Sequence, residues 1–247
     1  MMDLTILGCG AAYPRPGGAC SGYLLQSGDT TVWLEAGNGT FSRLQQLVPF
    51  GSLDAVVLSH SHGDHIADVH PLMYALGFDE VPHEPLPVYA PPDVAPILSA
   101  PLGAGSGAIF EKVFRFHPIG VPFEVGALRF APFRTVHPVI TYGVRVTDGE
   151  RTLVYSADTA FFPGLHERCA DADLLLCEAT FTGPRGDPPG VHLWAEETGA
   201  VAAMAGAKRL LITHVWTAND PEVAVEEAQH AYTGPCEAAV EEKLYTV

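Results

Sequence analysis

The chain has 247 residues, of which 47% are hydrophobic and 17% are charged, and this composition excludes an intrinsically disordered chain. Its 29 acidic and 13 basic residues give a formal net charge of −16, which disfavours long nucleic acid as a partner. A small anion held by metal ions remains compatible with that charge, because a bound cation dominates the potential around it.

Several features of the sequence predict a cytoplasmic protein. Met1-Met2-Asp3 leads straight into a strand-like segment, without the basic and apolar regions of a secretory signal. No apolar run reaches the roughly 20 residues needed to span a bilayer, so no membrane contact is expected. The cysteines are odd in number, scattered and free of C-x-x-C spacing, as is typical of a reducing compartment. They are Cys9, Cys20, Cys169, Cys177 and Cys236.

The first part of the chain is predicted to be mostly extended. β-rich stretches separated by Gly-containing turns predict strands at 4–9 and 21–35. The short apolar run at 54–59 predicts a buried strand that ends in a histidine-rich loop. A helix is predicted over 64–76, ending at Gly77.

The remainder alternates between strands and helices after a stretch rich in turn residues. Residues 79–107 contain many Pro and Gly and are predicted to form irregular surface with one strand at 86–90. No linker interrupts the alternation that follows, which indicates a single α/β domain over 1–247. The predicted strands are 123–133, 141–156 with a turn at Asp148-Gly149, 174–177 and 209–213, and the predicted helices are 193–206 and 221–231.

The strongest chemical signal is a histidine and aspartate cluster directly after the predicted strand at 54–59. Imidazole and carboxylate groups suit zinc, iron or manganese. In an extended loop His60 and His62 point the same way, because side chains alternate. Asp64 and His65 begin the next element and can face a second ion, and Gly63 permits the tight path between the two pairs.

Further ligand-type residues follow later apolar strands. His137, Asp158 and His214 each come directly after a predicted strand, where α/β folds present their sites. Taken alone, each of them could be an ordinary core or surface residue as readily as a metal ligand. Their common placement, after the first cluster, favours a shared metal site.

These motifs resemble those of the metallo-β-lactamase superfamily. The run S-H-S-H-G-D-H at 59–65 is similar to its HxHxDH signature, and the three later residues match its remaining ligand positions in order. The opening segments 7–10 and 35–40 resemble L-G-[TS]-G and D-x-G-x-G-T. Within the superfamily the pattern is most similar to ribonuclease Z and its phosphodiesterase relatives, through S-A-D-T at 156–159, C-E-A-T at 177–180 and His192.

The resemblance implies a four-layer αββα sandwich with a dinuclear metal site at one edge. It assigns one ion to three histidines, the other to Asp64 and two histidines, and a bridging position to Asp158. Zinc is the expected metal, with manganese and iron as alternatives, and a bridging hydroxide is the expected nucleophile. The implied ligands are His60, His62 and His137 for one ion, and Asp64, His65 and His214 for the other.

The resemblance also implies which residues move protons. In the ribonuclease Z pattern, the glutamate and histidine at the positions of Glu178 and His192 form a proton-shuttle pair. A histidine has a suitable ordinary pKa for protonating a leaving oxygen. We therefore predict catalytic roles for Asp64, Glu178 and His192. The alternative is that Glu178 only packs at a strand end and His192 only opens a helix.

Departures from the ribonuclease Z pattern disfavour transfer RNA as the substrate. The long arm that grips transfer RNA would lie between His137 and Asp158, where this chain has only residues 138–157, predicted to be a bare hairpin. C-E-A-T lacks the first histidine of H-E-A-T, and Glu35 stands in place of the usual Asp. We expect a small phosphodiester substrate, and the resemblance suggests a homodimer.

The ligand set disfavours several other functions within the superfamily. Flavodiiron oxidoreductases place Glu at the position of His62, and common zinc β-lactamases place Cys at that of Asp158, so both are disfavoured. Lactone, ester and thioester hydrolases such as glyoxalase II share these ligands and are the alternative function. A non-catalytic metal-binding scaffold is disfavoured by the complete ligand set.

Several other residues receive weaker predictions. Trp194 and Trp216 each lie two residues from a predicted site histidine and are candidates for lining the pocket. Arg185, in the turn-rich loop 183–190, is a cation that could meet a phosphate. The histidines predicted to be structural or on the surface are His70, His83, His117, His166 and His230.

Overall fold

The computed structural model describes residues 1–79, 84–184 and 190–247, and His83 and Arg185 lie outside these ranges. The strands are β1 (Met2–Gly8), β2 (Gly10–Ala11), β3 (Gly22–Ser27), β4 (Thr30–Ala36), β5 (Ala55–Val57), β6 (Leu86–Ala90), β7 (Phe114–Pro118), β8 (Phe123–Val125), β9 (Leu128–Arg134), β10 (Tyr142–Thr147), β11 (Thr152–Tyr155), β12 (Leu174–Glu178), β13 (Leu210–Thr213), β14 (Val215–Trp216), β15 (Cys236–Ala238) and β16 (Leu244–Thr246). The α-helices are α1 (Thr40–Leu47), α2 (Gly63–Ile66), α3 (Val69–Phe78), α4 (Val94–Ser99), α5 (Ala104–Val113), α6 (Leu165–Arg168), α7 (Ala195–Ala205) and α8 (Pro221–Gln229).

Within the described residues, two seven-stranded sheets form the centre of the fold. Their strand orders are β16-β1-β3-β4-β5-β6-β7 and β15-β13-β12-β11-β10-β9-β8. A core that includes Leu4, Leu25 and Leu176 fills the space between the sheets. Two further apolar clusters join the outer faces of the sheets to helices. The predicted αββα sandwich is therefore confirmed.

Parallel pairing determines where the loops emerge. Strands β4 to β7 are parallel neighbours in the first sheet, and strands β11, β12, β13 and β15 are parallel neighbours in the second. Because the carboxyl ends of parallel strands share one edge of a sheet, residues that follow them come together in space. The predicted hairpin between His137 and Asp158 is also present, as the antiparallel pair β10 and β11.

The stretch 79–107 was wrongly predicted to contain only one strand and irregular surface. The strand is present as β6, but α4 and part of α5 also lie there. Helix α5 contains glycines that disfavour a helix, yet its Phe110 and Val113 are buried in the core cluster of the first sheet. This burial outweighs local propensity, as tertiary packing often does. Helix α1 was not predicted, and the predicted helix at 64–76 is divided into α2 and α3.

No helix of the described residues is long and apolar enough to cross a membrane.

Candidate metal centre

All seven predicted ligands lie together where strands of both sheets end. The loop after β5 supplies two histidines, α2 supplies an aspartate and a histidine, and the other three residues follow β9, β11 and β13. The side chains meet although they come from distant parts of the chain. The seven are His60, His62, Asp64, His65, His137, Asp158 and His214.

The first group consists of His60, His62, His137 and Asp158. One potential ligand atom from each lies within 4.8 Å of the others. His62 Nδ1 is 3.0 Å from His60 Nε2 and 3.1 Å from His137 Nε2. Burial lowers the pKa of His60, and the nearby His65 lowers it further, so the His60 ring is neutral and has a lone pair to donate to a metal.

The second group consists of Asp64, His65 and His214, whose ligand atoms also lie within 4.8 Å of one another. His65 Nε2 is 3.3 Å from His214 Nε2, which is 3.4 Å from Asp64 Oδ2. The backbone N–H of Ala12 donates to the same carboxylate oxygen over 2.8 Å. The two groups correspond to the two ligand sets that the resemblance implied.

Asp158 lies between the two groups. Its Oδ2 is 3.6 Å from Nε2 of His60 in the first group, and 3.4 and 3.5 Å from Nε2 of His65 and His214 in the second. Burial opposes ionisation of Asp158, but His214, His65 and His60 together hold its pKa well below the usual range.

The Asp158 carboxylate also provides a test of whether the cluster fits a metal. Its Oδ1 atom is buried and has no hydrogen-bond partner among the described residues. A buried acceptor without a partner is unfavourable, and a cation between the two groups would satisfy it. Imidazole nitrogens and carboxylate oxygens together form a donor set suited to zinc, manganese or iron. The residues therefore fit divalent metals.

Outer hydrogen bonds orient most of the predicted histidine ligands. In four of them, the nitrogen that faces away from the cluster contacts a carboxylate, a hydroxyl or a carbonyl oxygen. Such contacts determine the tautomer and the ring orientation of a metal-binding histidine. The pairs are His60 Nδ1 with Ser59 Oγ at 2.8 Å, His65 Nδ1 with Glu35 Oε2 at 2.8 Å, His137 Nδ1 with Val191 O at 2.9 Å, and His214 Nδ1 with Thr180 Oγ1 at 2.9 Å.

Glu35 has a positioning role that the sequence analysis missed. It is fully buried at the end of β4, and its carboxylate contacts His65 and accepts the Ser59 N–H over 2.7 Å. It thus joins the loop after β5 to a predicted ligand in α2. The available signal was a carboxylate at the end of a buried strand, within the segment that resembles D-x-G-x-G-T.

Backbone strain is concentrated around this centre. Four non-glycine residues that belong to it or adjoin it have positive φ: Ala12 at 59°, Glu35 at 63°, Ala157 at 51° and His214 at 51°. Left-handed backbone is unfavourable for residues with a Cβ atom and persists where the surroundings enforce it. Here it directs side chains and N–H groups at strand ends toward the cluster.

The predicted pair Glu178 and His192 lies beside both groups of potential metal ligands. His192 Nδ1 is 3.0 Å from Glu178 Oε1, and the same oxygen accepts the Thr159 N–H over 2.6 Å. The His192 ring centroid is 5.1 Å from that of His137 and 5.3 Å from that of His214. Burial lowers the pKa of His192, but Glu178 outweighs this effect and raises it to about 9. The free ring is therefore protonated at neutral pH.

Thr180 connects this pair to the metal centre, a link that the sequence analysis also missed. Its hydroxyl donates to Glu178 Oε2 over 2.7 Å and lies 2.9 Å from His214 Nδ1. Because a hydroxyl has only one proton, the His214 Nδ1–H must be the donor in the second contact. Nε2 of His214 is then left free to bind a metal.

Removing the Thr180 hydroxyl is expected to weaken metal binding. Thr180→Val leaves the buried His214 Nδ1–H without its side-chain acceptor, and such losses typically reduce metal affinity about 10- to 100-fold. Competition with a chromophoric zinc chelator measures the affinity. Thr180→Ser retains the hydroxyl and is the control, expected to bind zinc as the wild type does. Equal affinity in the valine variant would show that Thr180 does not orient His214.

A cavity of about 620 Å³ opens beside the centre. Its lining includes Asp64, His192 and His214 from the cluster, together with Trp216. Of the two tryptophans predicted to line the pocket, Trp216 does so, whereas Trp194 packs against Phe181 with ring centroids 5.2 Å apart.

Comparisons with known proteins agree with this fold. Residues 30–215 match the family model described as the β-lactamase superfamily domain. The chain is 35% identical to the probable metallo-hydrolase YhfI of Bacillus subtilis, over 87% of each chain. The crystal structure of YhfI aligns with a TM-score of 0.89 over 99% of this chain and 98% of that one, at 31% identity. A ribonuclease Z of Myxococcus xanthus is 27% identical over 97% of this chain and 95% of its own. The human tRNase Z short form, at 21% identity, shares the fold with a TM-score of 0.78 over 99% of each chain.

Proposed function

The chain belongs to the β-lactamase superfamily and is a metallo-hydrolase, and from that premise we propose that it is a dinuclear phosphodiesterase acting on a small phosphodiester. His60, His62 and His137 would hold one ion, Asp64, His65 and His214 the other, and Asp158 both. When bound, such ions activate water at neutral pH and polarise the oxygens of the substrate.

The observation that carries the proposal is the His192–Glu178 pair, which lies beside both groups of potential metal ligands. Glu178 is fully buried, and it holds His192 by Nδ1. The Nε2–H of His192 then serves as a proton donor to the leaving oxygen. Phosphodiesters with alkoxide leaving groups need such a donor, because an alkoxide is a strong base.

A substrate panel tests the reaction class. The protein reconstituted with zinc or with manganese is assayed on bis(4-nitrophenyl) phosphate, a γ-lactone and a glutathione thioester. We expect the phosphodiester to have the highest kcat/KM, and a chelator to remove the activity until metal is returned. If the lactone or the thioester is the better substrate, the alternative function replaces this proposal.

Precursor transfer RNA is expected to be a poor substrate. The chain between His137 and Asp158 forms a hairpin instead of an RNA-binding arm, and the net charge of −16 opposes binding of a polyanion. At physiological salt we expect no 3′ cleavage under conditions in which the diester is hydrolysed. A ribonuclease Z serves as the positive control, and efficient cleavage by this protein would contradict the proposed substrate size.

A further inference from the structure

One side of the cavity is formed by two partly exposed aromatic rings, Tyr13 and Trp216, which we call the aromatic wall. Tyr13 is 48% exposed and Trp216 is 38% exposed, and both line the cavity. Their rings meet edge to face with centroids 5.9 Å apart and an interplanar angle of 89°. Exposed aromatic rings are common on protein surfaces, but these two border the cavity beside the metal centre, where a ligand can contact them.

The backbone beneath the aromatic wall is firmly held. Strands β2 and β14 pair in parallel, with Trp216 opposite Ala11. The Thr217 hydroxyl contacts the carbonyl oxygens of Ala11 at 3.0 Å and Tyr13 at 2.5 Å. The Arg15 guanidinium crosses from one segment to the other and donates to Thr217 O over 3.1 Å. The two rings are thus presented on a preformed surface, which reduces the entropy lost on binding.

The aromatic wall is also joined to the metal centre. Ala12, next to Tyr13, donates its N–H to Asp64 Oδ2 over 2.8 Å. Trp216 follows His214 by two residues, and its own N–H donates to Thr180 O over 3.1 Å. A group resting on the wall therefore lies beside the Asp64 and His214 side of the centre, within reach of a phosphate held there.

The charge of the lining indicates which part of a substrate the wall contacts. Among the described residues that line the cavity there is no Lys or Arg. The protonated His192 is assigned to the leaving oxygen, so no further cationic side chain of those residues is left for a second anionic group. The bound metals would neutralise the phosphate itself. The part of the substrate that contacts the aromatic wall should therefore be an uncharged, flat organic group, because such a group packs well against aromatic faces and edges.

We propose that Tyr13 and Trp216 form a subsite for a planar aromatic ring carried by one ester group of the substrate. The proposal rests on the proposed phosphodiesterase function and narrows its substrate class to diesters with such a ring. The subsite should give a preference of about 10-fold, or about 1.4 kcal/mol, which is within the range for stacking of a base on a protein aromatic ring.

The test compares two diesters that differ in one ring, which is planar and aromatic in one and saturated in the other. Benzyl 2,2,2-trifluoroethyl phosphate and its cyclohexylmethyl counterpart share a leaving group, whose release is followed by fluorine NMR, and neither has a second aromatic ring. The metal-loaded wild type is expected to favour the benzyl diester in kcat/KM by about 10-fold. Trp216→Leu and Tyr13→Leu should reduce the ratio toward 1, mainly through KM, whereas Trp216→Phe should retain most of it.

Controls separate this inference from the proposed function. Phe78→Leu removes an exposed ring on α3, 71% exposed, and should leave the ratio as in the wild type. If the wild type hydrolyses both diesters equally well, the aromatic wall is not a ring subsite, although the phosphodiesterase function stands. If neither diester is hydrolysed, the proposed function fails. Calorimetric titration of both diesters onto the metal-loaded protein then tests the subsite by itself. Tighter binding of the benzyl diester supports the ring subsite, and equal binding of the two diesters overturns it.

Discussion

Asp158→Ala is expected to remove at least one of two bound metals and to reduce kcat about 10³-fold or more, because metal ions supply several kcal/mol of transition-state stabilisation. The Asp158 Oδ2 atom lies 3.4–3.8 Å from Nε2 atoms in both ligand groups. Among the described residues, no other carboxylate of the centre is placed between them. The variant also leaves two dications without the shared negative charge that offsets their repulsion.

Elemental analysis after reconstitution with zinc or manganese measures the outcome. The wild type should bind two metals per chain, and the variant one or none. Asp173→Ala is the control, since Asp173 is a mostly buried carboxylate that binds Lys208 at 2.7 Å and immediately precedes β12, whose opposite end faces the centre. It should retain both metals. A wild type that binds one metal or fewer, or an Asp158→Ala variant that binds two, would contradict the dinuclear arrangement.

His192→Ala is expected to retain both metals but to lose about 10²–10⁴-fold in kcat on diesters with poor leaving groups, the usual range for one acid–base group. Activated aryl diesters should lose less, because their leaving groups need little protonation. His230→Ala, at an exposed position after α8, is the control and should leave kcat and metal content unchanged. An equal loss on both substrate types, or the loss of a metal, would assign His192 to ligation or structure instead.

The pH profile provides a second measurement of the same role. Glu178 raises the pKa of His192, so the proton-donating form is present at low pH and is lost as pH rises through that pKa. The kcat on diesters with poor leaving groups should therefore fall on the alkaline side. Glu178→Gln removes the carboxylate charge and should move this fall to lower pH, whereas a structural role for Glu178 would change kcat without shifting the profile.

Residues close together in the chain predicted most of the candidate metal centre. A buried strand at 55–57 delivers His60, His62, Asp64 and His65 within six positions, and this local pattern is visible in the sequence. The later ligands were also predicted, because His137, Asp158 and His214 each follow an apolar strand and parallel strands end at a common edge. These predictions depended on the order of residues along short stretches of the chain and on the resemblance to a known signature.

Secondary structure was predicted less well where turn residues are frequent. Pro and Gly between 79 and 107 indicated irregular chain, yet α4 and α5 form there. Residues such as Leu98 and Phe110 are buried in the core of the first sheet, and the sequence does not show which neighbours will cover them. The free energy of that burial comes from residues distant in the chain.

The sequence by itself determined the types of the predicted ligands, their order and the strands that deliver them, because these depend on hydrophobic pattern and on spacing over a few residues. Only the tertiary structure decided which groups orient the ligands and what borders the substrate. Glu35 in β4 reaches His65 in α2, Thr180 connects His214 to Glu178, and Tyr13 meets a segment 204 positions away through Thr217. Such contacts arise when two sheets pack face to face and their strand ends converge, and no local pattern records that convergence.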